Sequence, residues 1–260
     1  EISECLVGSE MCIRDRVWSM YDYNRGCCDN ICYSGVADIF RLPKFSLSFF
    51  RTQIAEGSML PSGKMPYEVF IPAYRDEILS DTVMVYGNVD EVELVLNGKT
   101  IRRQTADKGP DSDYIPVPNG GNGKNLHFPP FTFYGVPKER GVLKAVGYHQ
   151  GKKVAEYTVK TPGVPERLDI TYFESGKPAT KNDLLIVYVR MLDKQGVLCP
   201  VNGIPVELSV QGGEIVGPTS YPLEAGVASF LVRTGEISKI NINATGKGFS
   251  TRKSLKVGKE

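Results

Sequence analysis

The sequence predicts a mostly β protein, in which a short strand–loop–helix segment precedes two β-sandwich domains. Three observations predict this class. First, 260 residues suffice for more than one domain, since domains usually contain roughly 100–150 residues. Second, Val, Ile, Tyr, Phe and Thr recur in short runs, as they do in strands. Third, 27 glycines and 17 prolines supply frequent turns between those runs, which is typical of a sandwich.

Charge, hydropathy and cysteine spacing exclude several other classes. The net charge of +1 gives no electrostatic basis for binding nucleic acid or an anionic membrane. No apolar run approaches the roughly 20 residues of a membrane-spanning helix. The cysteines match neither a disulfide framework nor a zinc-ligand spacing, so we predict plain thiols, no metal and no cofactor. The cysteines are Cys5, Cys12, Cys27, Cys28, Cys32 and Cys199.

The first 16 residues require separate treatment. Residues 3–16, SECLVGSEMCIRDR, resemble a translated sequencing adapter, and we therefore leave residues 1–16 out of the fold prediction. The alternative is a short polar or disordered lead-in to a strand. We expect the natural start of the protein to be missing from the sequence, so a location cannot be inferred from a leader.

Residues 17–57 predict one β/α step. Residues 17–23 predict a strand, residues 24–34 a polar loop and residues 44–55 a helix. Pro43 suits the first turn of this helix, where its missing N–H group costs nothing.

A single β/α step cannot bury both faces of a parallel strand, so this segment should belong to a larger body. Without that body, we expect the helix to expose Phe45, Phe49 and Phe50 and the segment to fold poorly.

Residues 66–162 predict the first sandwich, after a Gly-, Pro- and Ser-containing linker at residues 57–66. The strongest signal is Asn97-Gly98 between two extended runs, because both residues tolerate the positive φ of a type I′ turn. A second hairpin is predicted across Gln150-Gly151. Strands are predicted over residues 83–88, 92–96, 99–104, 131–134, 142–149 and 152–160, and a long exposed loop over residues 106–125.

Residues 163–260 predict the second sandwich. The predicted strands are residues 167–173, 184–192, 204–210, 226–233, 239–244 and 250–257. Apolar and polar residues alternate in two of them, which indicates one buried and one solvated face. Both sandwiches are therefore predicted to be immunoglobulin-like.

The chain after residue 16 resembles the C-terminal part of glycoside hydrolase family 2, the β-galactosidase family. The most specific marks are Trp-x-x-x-Asp-Tyr at residues 18–23 and Gly-x-x-Asp-x-x-Arg-x-Pro-Lys at residues 35–44. Residues 85–99 and 141–148 resemble the sandwich that follows the barrel in this family, and residues 212–217 and 224–229 resemble its terminal sandwich. The resemblance implies two immunoglobulin-like β-sandwiches preceded by the last βα unit of a truncated (β/α)₈ barrel.

The resemblance also implies a function. The parent protein would be a retaining exo-β-glycosidase that hydrolyses O-glycosidic bonds through two glutamates on earlier barrel strands. We expect both glutamates to lie upstream of this sequence and the fragment itself to be inactive, so no catalytic residue is assigned. A β-glycoside is the implied partner, a homo-oligomer of the full-length enzyme is compatible with the resemblance, and the implied location is periplasmic or extracellular.

Four residues at the predicted strand end are candidates for substrate binding: Trp18, Asp22, Asn24 and Arg25. Trp18 offers an apolar face and an N–H donor to a sugar ring, and strand ends at this face of a barrel carry its sites. The alternative is a core tryptophan. Asp22 can accept, and Asn24 and Arg25 can donate, hydrogen bonds to sugar hydroxyls. The alternative is a turn in which Asp22 caps backbone N–H groups, which loop starts favour.

Nearby, Asp38 and Arg41 are predicted to form a structural pair that fixes the turn at Pro43. His127 and His149 have no ligand spacing around them and are predicted to be ordinary surface or core residues.

A non-enzymatic alternative remains open at this stage. The second sandwich also resembles invasin-type cell-surface repeats, so the chain could be a carbohydrate-binding or adhesion module, and fold alone does not dictate function. The β/α step discriminates between the two, because an adhesin has no use for a strand–loop–helix unit with a tryptophan at the strand end.

Overall fold

A computed structural model describes residues 19–24, 26, 31–73, 81–107, 126–173 and 177–258. These residues form one short helix and nineteen strands, which confirms the predicted, mostly β fold class. None of the helical residues in these ranges forms a helix long and apolar enough to cross a membrane. Residues 1–16, Trp18, Arg25 and most of the loop at residues 106–125 lie outside the described residues.

The N-terminal segment contains little regular structure. Within the described part of the strand predicted over residues 17–23, only Tyr23 belongs to a strand. Strand β1 (Tyr23–Asn24) pairs antiparallel with β2 (Ile31–Cys32), and helix α1 spans Phe45–Thr52. This helix is shorter than predicted, because its chain tightens after Thr52 and the amide of Ile54 bonds to the Arg51 carbonyl only three residues back.

The stretch predicted as a linker contains a small hairpin, which was not predicted. Strands β3 (Met59–Leu60) and β4 (Gly63–Lys64) form a hairpin. Met65 follows it with 1% of its surface exposed, and its amide and carbonyl both bond back to the chain before the hairpin. An unbranched apolar side chain at the junction therefore anchors a Gly- and Pro-rich stretch that composition alone marks as loose.

The first sandwich packs a three-stranded sheet, in the order β5-β6-β9, against a four-stranded sheet, in the order β11-β10-β7-β8. Its strands are β5 (Val69–Phe70), β6 (Val83–Gly87), β7 (Glu91–Leu96), β8 (Lys99–Thr105), β9 (Phe131–Phe133), β10 (Val142–His149) and β11 (Lys152–Lys160). Both predicted hairpins are confirmed: Asn97 and Gly98 have φ of 51° and 80°, and Gln150 and Gly151 have φ of 49° and 76°, as a type I′ turn requires.

The second sandwich packs the sheet β12-β13-β17-β15 against the sheet β16-β14-β18-β19. Its strands are β12 (Arg167–Tyr172), β13 (Leu184–Leu192), β14 (Pro205–Gln211), β15 (Gly213–Ile215), β16 (Ser220–Pro222), β17 (Val227–Thr234), β18 (Lys239–Gly246) and β19 (Phe249–Lys256). All six predicted strands are present, whereas β15 and β16 were not predicted. The two apolar cores draw on residues 69–145 and 168–257, and the exact domain boundaries stay a prediction.

Helix α1 packs on the first sandwich rather than standing free. Phe49 meets Tyr86 edge to face with ring centroids 5.0 Å apart, and Phe45 lies 5.7 Å from Phe70. Phe45 and Phe50 still expose 37% and 38% of their surface, as predicted for the helix, whereas Phe49 is covered by this contact.

Candidate functional site

The candidate site lies where the N-terminal residues 19–24 meet residues 31–44. We call residues 31–44 the strand-end loop. Three backbone hydrogen bonds join the two: the Asp22 amide to the Ala37 carbonyl at 3.0 Å, Val36 to Ser19 at 3.1 Å, and Ala37 to Met20 at 3.0 Å. Of the four predicted binding residues, Asp22 and Asn24 are described, while Trp18 and Arg25 lie outside the described residues.

Asp22 is the most buried polar group of this region, with 3% of its side chain exposed. Its Oδ1 accepts a hydrogen bond from the Gly35 amide at 2.9 Å and another from Lys44 Nζ at 2.6 Å. These contacts resemble the backbone-capping role that the sequence offered as an alternative, although the capped amide lies 13 residues further along the chain. Within the described part of the chain no hydrogen bond reaches Oδ2, so this oxygen can still accept one.

Gly35 makes the close approach to Asp22 possible. A Cβ atom at this position would lie 2.3 Å from both the Asp22 nitrogen and the Tyr21 carbonyl carbon, closer than real Cβ contacts allow. The Gly35 of the sequence motif is thus required by backbone packing at the strand end.

Lys44 closes the other side of the carboxylate. Its Nζ also donates to the Tyr33 carbonyl at 3.0 Å and lies 5.9 Å from the Tyr33 ring centroid. The Asp22 carboxylate is therefore held in place by a neighbouring ammonium group, an arrangement that suits an acceptor of hydrogen bonds.

Asn24 is exposed and organises a local turn. Its Oδ1 accepts a hydrogen bond from the Gly26 amide at 2.8 Å, as Asn residues do at loop starts. The orientation of the Asn24 side chain is therefore set by this turn.

The predicted pairing of Asp38 with Arg41 is wrong. Asp38 fixes the turn before Pro43 by itself, because its Oδ1 accepts from the Leu42 amide at 2.8 Å. The ion pairs formed among the described residues do not include Asp38 with Arg41. The guanidinium instead lies over two aromatic rings, 5.6 Å from the Tyr21 centroid and 5.1 Å from that of Phe173.

A cavity of about 310 Å³ separates the strand-end loop from the second sandwich. One side of it is lined by Asp22 and by the loop residues Tyr33 and Asp38. The side formed by the second sandwich is lined by Tyr221, Glu224 and Ser229. Carboxylates and hydroxyls can bond to the hydroxyls of a sugar ring, and aromatic rings can pack on its apolar face. The three sandwich residues were missed by the sequence analysis, since nothing local links them to a strand end some 200 residues earlier.

Among the residues that the structure describes, the other titratable groups form no comparable constellation. In the described ranges, no group of three His, Cys, Asp or Glu side chains is placed to hold a metal ion. His149 pairs with Asp90 at 3.1 Å on the surface and stacks on Tyr67. His127 packs edge to face on Phe128.

Comparison with known proteins finds a family model and several relatives that match this chain. Residues 80–155 match the family model described as a domain of unknown function, DUF4982. The chain is 33% identical over 233 residues to a β-galactosidase of Thermoanaerobacter pseudethanolicus, covering 84% of this chain and 29% of that protein. It is 28% identical over 207 residues to the β-galactosidase BoGH2A of Bacteroides ovatus, covering 77% of this chain and 21% of that protein. The chain thus spans less than a third of the length of these relatives.

Solved structures share the fold. A β-glucuronidase from glycoside hydrolase family 2 superposes with a TM-score of 0.69 at 21% identity, over 88% of this chain and 23% of that one. A β-glycosidase from Bacteroides vulgatus superposes with a TM-score of 0.71 at 16% identity, over 92% of this chain and 30% of that one.

A shorter relative is matched over nearly its whole length. The chain is 30% identical to a β-galactosidase of Rhizobium radiobacter over 129 residues, which is 49% of this chain and 92% of that protein. Together with the strand-end motifs and the two sandwiches, these matches show that the chain belongs to glycoside hydrolase family 2, among its β-galactosidase-like members.

Proposed function

We propose that the protein containing this chain is a retaining exo-β-glycosidase, similar to a β-galactosidase, that hydrolyses O-glycosidic bonds. The relatives named β-galactosidase support the reaction class. Retaining enzymes need two carboxyl groups about 5 Å apart, one as nucleophile and one as acid/base. In this proposal both are glutamates on barrel strands before residue 17, and the 260-residue chain by itself has no hydrolase activity.

In the same proposal, this chain supplies part of the sugar pocket. Trp18 packs on the apolar face of the sugar, and Asp22, Asn24 and Arg25 bond to its hydroxyls. The observation that carries this role is Asp22 itself. It is a nearly buried carboxylate at the wall of the cavity, held through Oδ1 by Gly35 and Lys44, and none of the described residues donates a hydrogen bond to its Oδ2. The proposed substrate is a β-glycoside. We propose separately that the full-length enzyme assembles into a homo-oligomer, and sedimentation velocity tests this.

The test is an assay of the full-length protein on a panel of nitrophenyl β-glycosides, with the anomer of the first-formed sugar followed by NMR. Turnover of one glycoside with release of the β-anomer is expected. An absence of turnover on every glycoside, combined with binding of a carbohydrate, would instead support the binding-module hypothesis.

Asp22→Asn tests the pocket within that assay. Asparagine keeps an oxygen for Gly35 and Lys44 and replaces Oδ2 by an NH₂ group, so the local fold is retained while one acceptor is lost. Hydrogen bonds to charged groups contribute about 1.5–3 kcal/mol, so kcat/KM should fall roughly 10- to 100-fold. Asp169→Asn is the matched control, because that carboxylate pairs with Arg190 on the second sandwich. Equal kcat/KM values in the two variants would remove Asp22 from the pocket.

A further inference from the structure

We propose that Tyr188 and Arg41 are positioning residues, through which the second sandwich holds the strand-end loop and thereby sets the placement of Asp22. The structural part of this proposal stands on the contacts described below. Its consequence for substrate binding rests on the proposed glycosidase function.

Tyr188 is buried although it lies on the outer face of its sheet. Along β13, Val187 and Val189 point into the sandwich core, and Tyr188 between them is not part of that core. An outward residue on a strand normally meets solvent. Tyr188 is 6% exposed instead, because the strand-end loop covers it.

The Tyr188 hydroxyl makes the direct connection. It donates a hydrogen bond to the Phe40 carbonyl at 2.6 Å, across 148 residues of sequence. Burial, followed by the nearby Asp38 carboxylate, raises the pKa of Tyr188 to about 12. The phenol therefore stays protonated, and remains a donor, throughout the neutral and mildly alkaline range.

Arg41 is the next residue along the loop and makes the second connection. It adopts a φ of 67°, a left-handed conformation that non-glycine residues rarely adopt without a compensating contact. In this conformation its guanidinium lies over both Phe173, which directly follows β12, and Tyr21, which directly precedes Asp22. The second sandwich and the strand end are thus bridged by one side chain.

Hydrogen bonds within and beside this turn connect Phe40 and Arg41 to Asp22. The Asp38 amide bonds to the Leu42 carbonyl at 3.0 Å, which closes the turn that contains Phe40 and Arg41. Two residues beyond this turn, the Lys44 amide bonds to the Val36 carbonyl at 3.0 Å, and the Lys44 ammonium holds Asp22 Oδ1. Any shift of the turn relative to β13 therefore displaces the cation that orients the candidate sugar-binding carboxylate.

Amide hydrogen exchange on the 260-residue chain tests the structural part. Tyr188→Phe removes one hydroxyl and keeps the ring, so the amides of Ala37, Asp38 and Lys44 should exchange roughly five- to tenfold faster than in the wild type. Tyr172→Phe is the matched control, since Tyr172 is on the adjacent strand and its hydroxyl makes no hydrogen bond within the described residues. Equal exchange of these amides in both variants would overturn the proposed connection.

Kinetics of the full-length enzyme test the positioning part. Tyr188→Phe and Arg41→Lys should each raise KM roughly three- to tenfold and leave kcat within about twofold, because the chemical step uses other residues. Simple destabilisation would instead lower the active fraction and leave KM unchanged. Faster exchange with an unchanged KM would therefore overturn the positioning role. If the wild-type enzyme hydrolyses no glycoside, the proposed function fails, and the exchange experiment still decides whether the second sandwich holds the loop.

Discussion

The buried side chain of Asn88 is expected to be one of the main polar links between the N-terminal segment and the first sandwich. Its Oδ1 accepts a hydrogen bond from the Glu68 amide at 2.6 Å, and its Nδ2 donates to the carbonyls of Ile54 and Pro66, each at 3.0 Å. Ile54 follows helix α1, Pro66 follows the β3–β4 hairpin, and Asn88 itself follows β6. One amide thus joins three stretches of chain.

The change Asn88→Ala should cost about 3 kcal/mol in the free energy of unfolding. Three hydrogen bonds are lost, each with a net contribution of about 1 kcal/mol. The residue is 3% exposed, so water has little access to the backbone groups left without a partner, and the true cost should be no smaller than this sum.

Native-state hydrogen exchange of the amides in β6 and β7 measures this cost, because it reports the opening of the first sandwich separately from the rest of a multidomain chain. Asn202→Ala is the matched control: its Oδ1 caps a single amide, that of Ala225, at an exposed position. We expect a loss of about 0.5–1 kcal/mol there, in the second sandwich. A loss of less than about 1 kcal/mol for Asn88→Ala would refute the reasoning that buried amide bonds hold this junction.

Three further predictions follow from single positions. Gly35→Ala should destabilise the strand-end loop, because its Cβ would lie 2.3 Å from the Tyr21 carbonyl carbon, and limited proteolysis should cleave the loop faster than in the wild type. Asn97→Ala should cost about 1–2 kcal/mol by thermal unfolding, whereas Asn97→Gly should cost less, because φ is 51° there. Burial raises the pKa of Asp193, but hydrogen bonds from backbone amides, the first being that of Gly163, lower it by a larger amount. The pKa of Asp193 in the folded protein therefore lies below its value in the unfolded chain. Its stabilisation is therefore present above about pH 4 and lost as the pH falls, and Asp193→Asn should lower the urea midpoint more at pH 7 than at pH 3.

The strands were predictable because their signals are local. Alternating burial in β14 and β18 follows the alternation of apolar and polar residues that the sequence shows directly. The turns at Asn97-Gly98 and Gln150-Gly151 are specified by two residues each, and the strands on both sides of each turn pair in the predicted hairpins.

The elements that were missed depend on partners distant in sequence. Strands β15 and β16 have three residues each, too few for a visible period, and they exist because β17 and β14 offer them edges. The β3–β4 hairpin turns at Pro61-Ser62 rather than at an Asn-Gly or Asp-Gly pair, and the buried Met65 directly after it holds it in place. Short strands of this kind are products of packing more than of propensity.

In the candidate site, too, the local features were predictable and the contacts between distant residues were not. Its motif located Asp22 and the glycine and lysine that prove to surround it, since Gly35 and Lys44 belong to the same sequence pattern. The pattern could not show that the hydrogen bonds from the described residues would all reach one carboxylate oxygen, Oδ1. It also could not show that Arg41 turns to the rings of Tyr21 and Phe173 rather than to Asp38, because this contact depends on Phe173, a residue of the second sandwich more than 100 positions away.

The strand-end region is the part of the chain whose conformation depends most on its neighbours. Among the described residues 19–44, the buried apolar side chains are Val36 and Ala37, and both are small. Met20 and Tyr33 expose 55% and 74% of their surface. So little apolar burial cannot by itself offset the entropy of ordering such a segment. Its order must therefore come from the hydrogen bonds of Asp22, from the contacts with the second sandwich and, in the proposed full-length enzyme, from a barrel packed on the exposed apolar side chains.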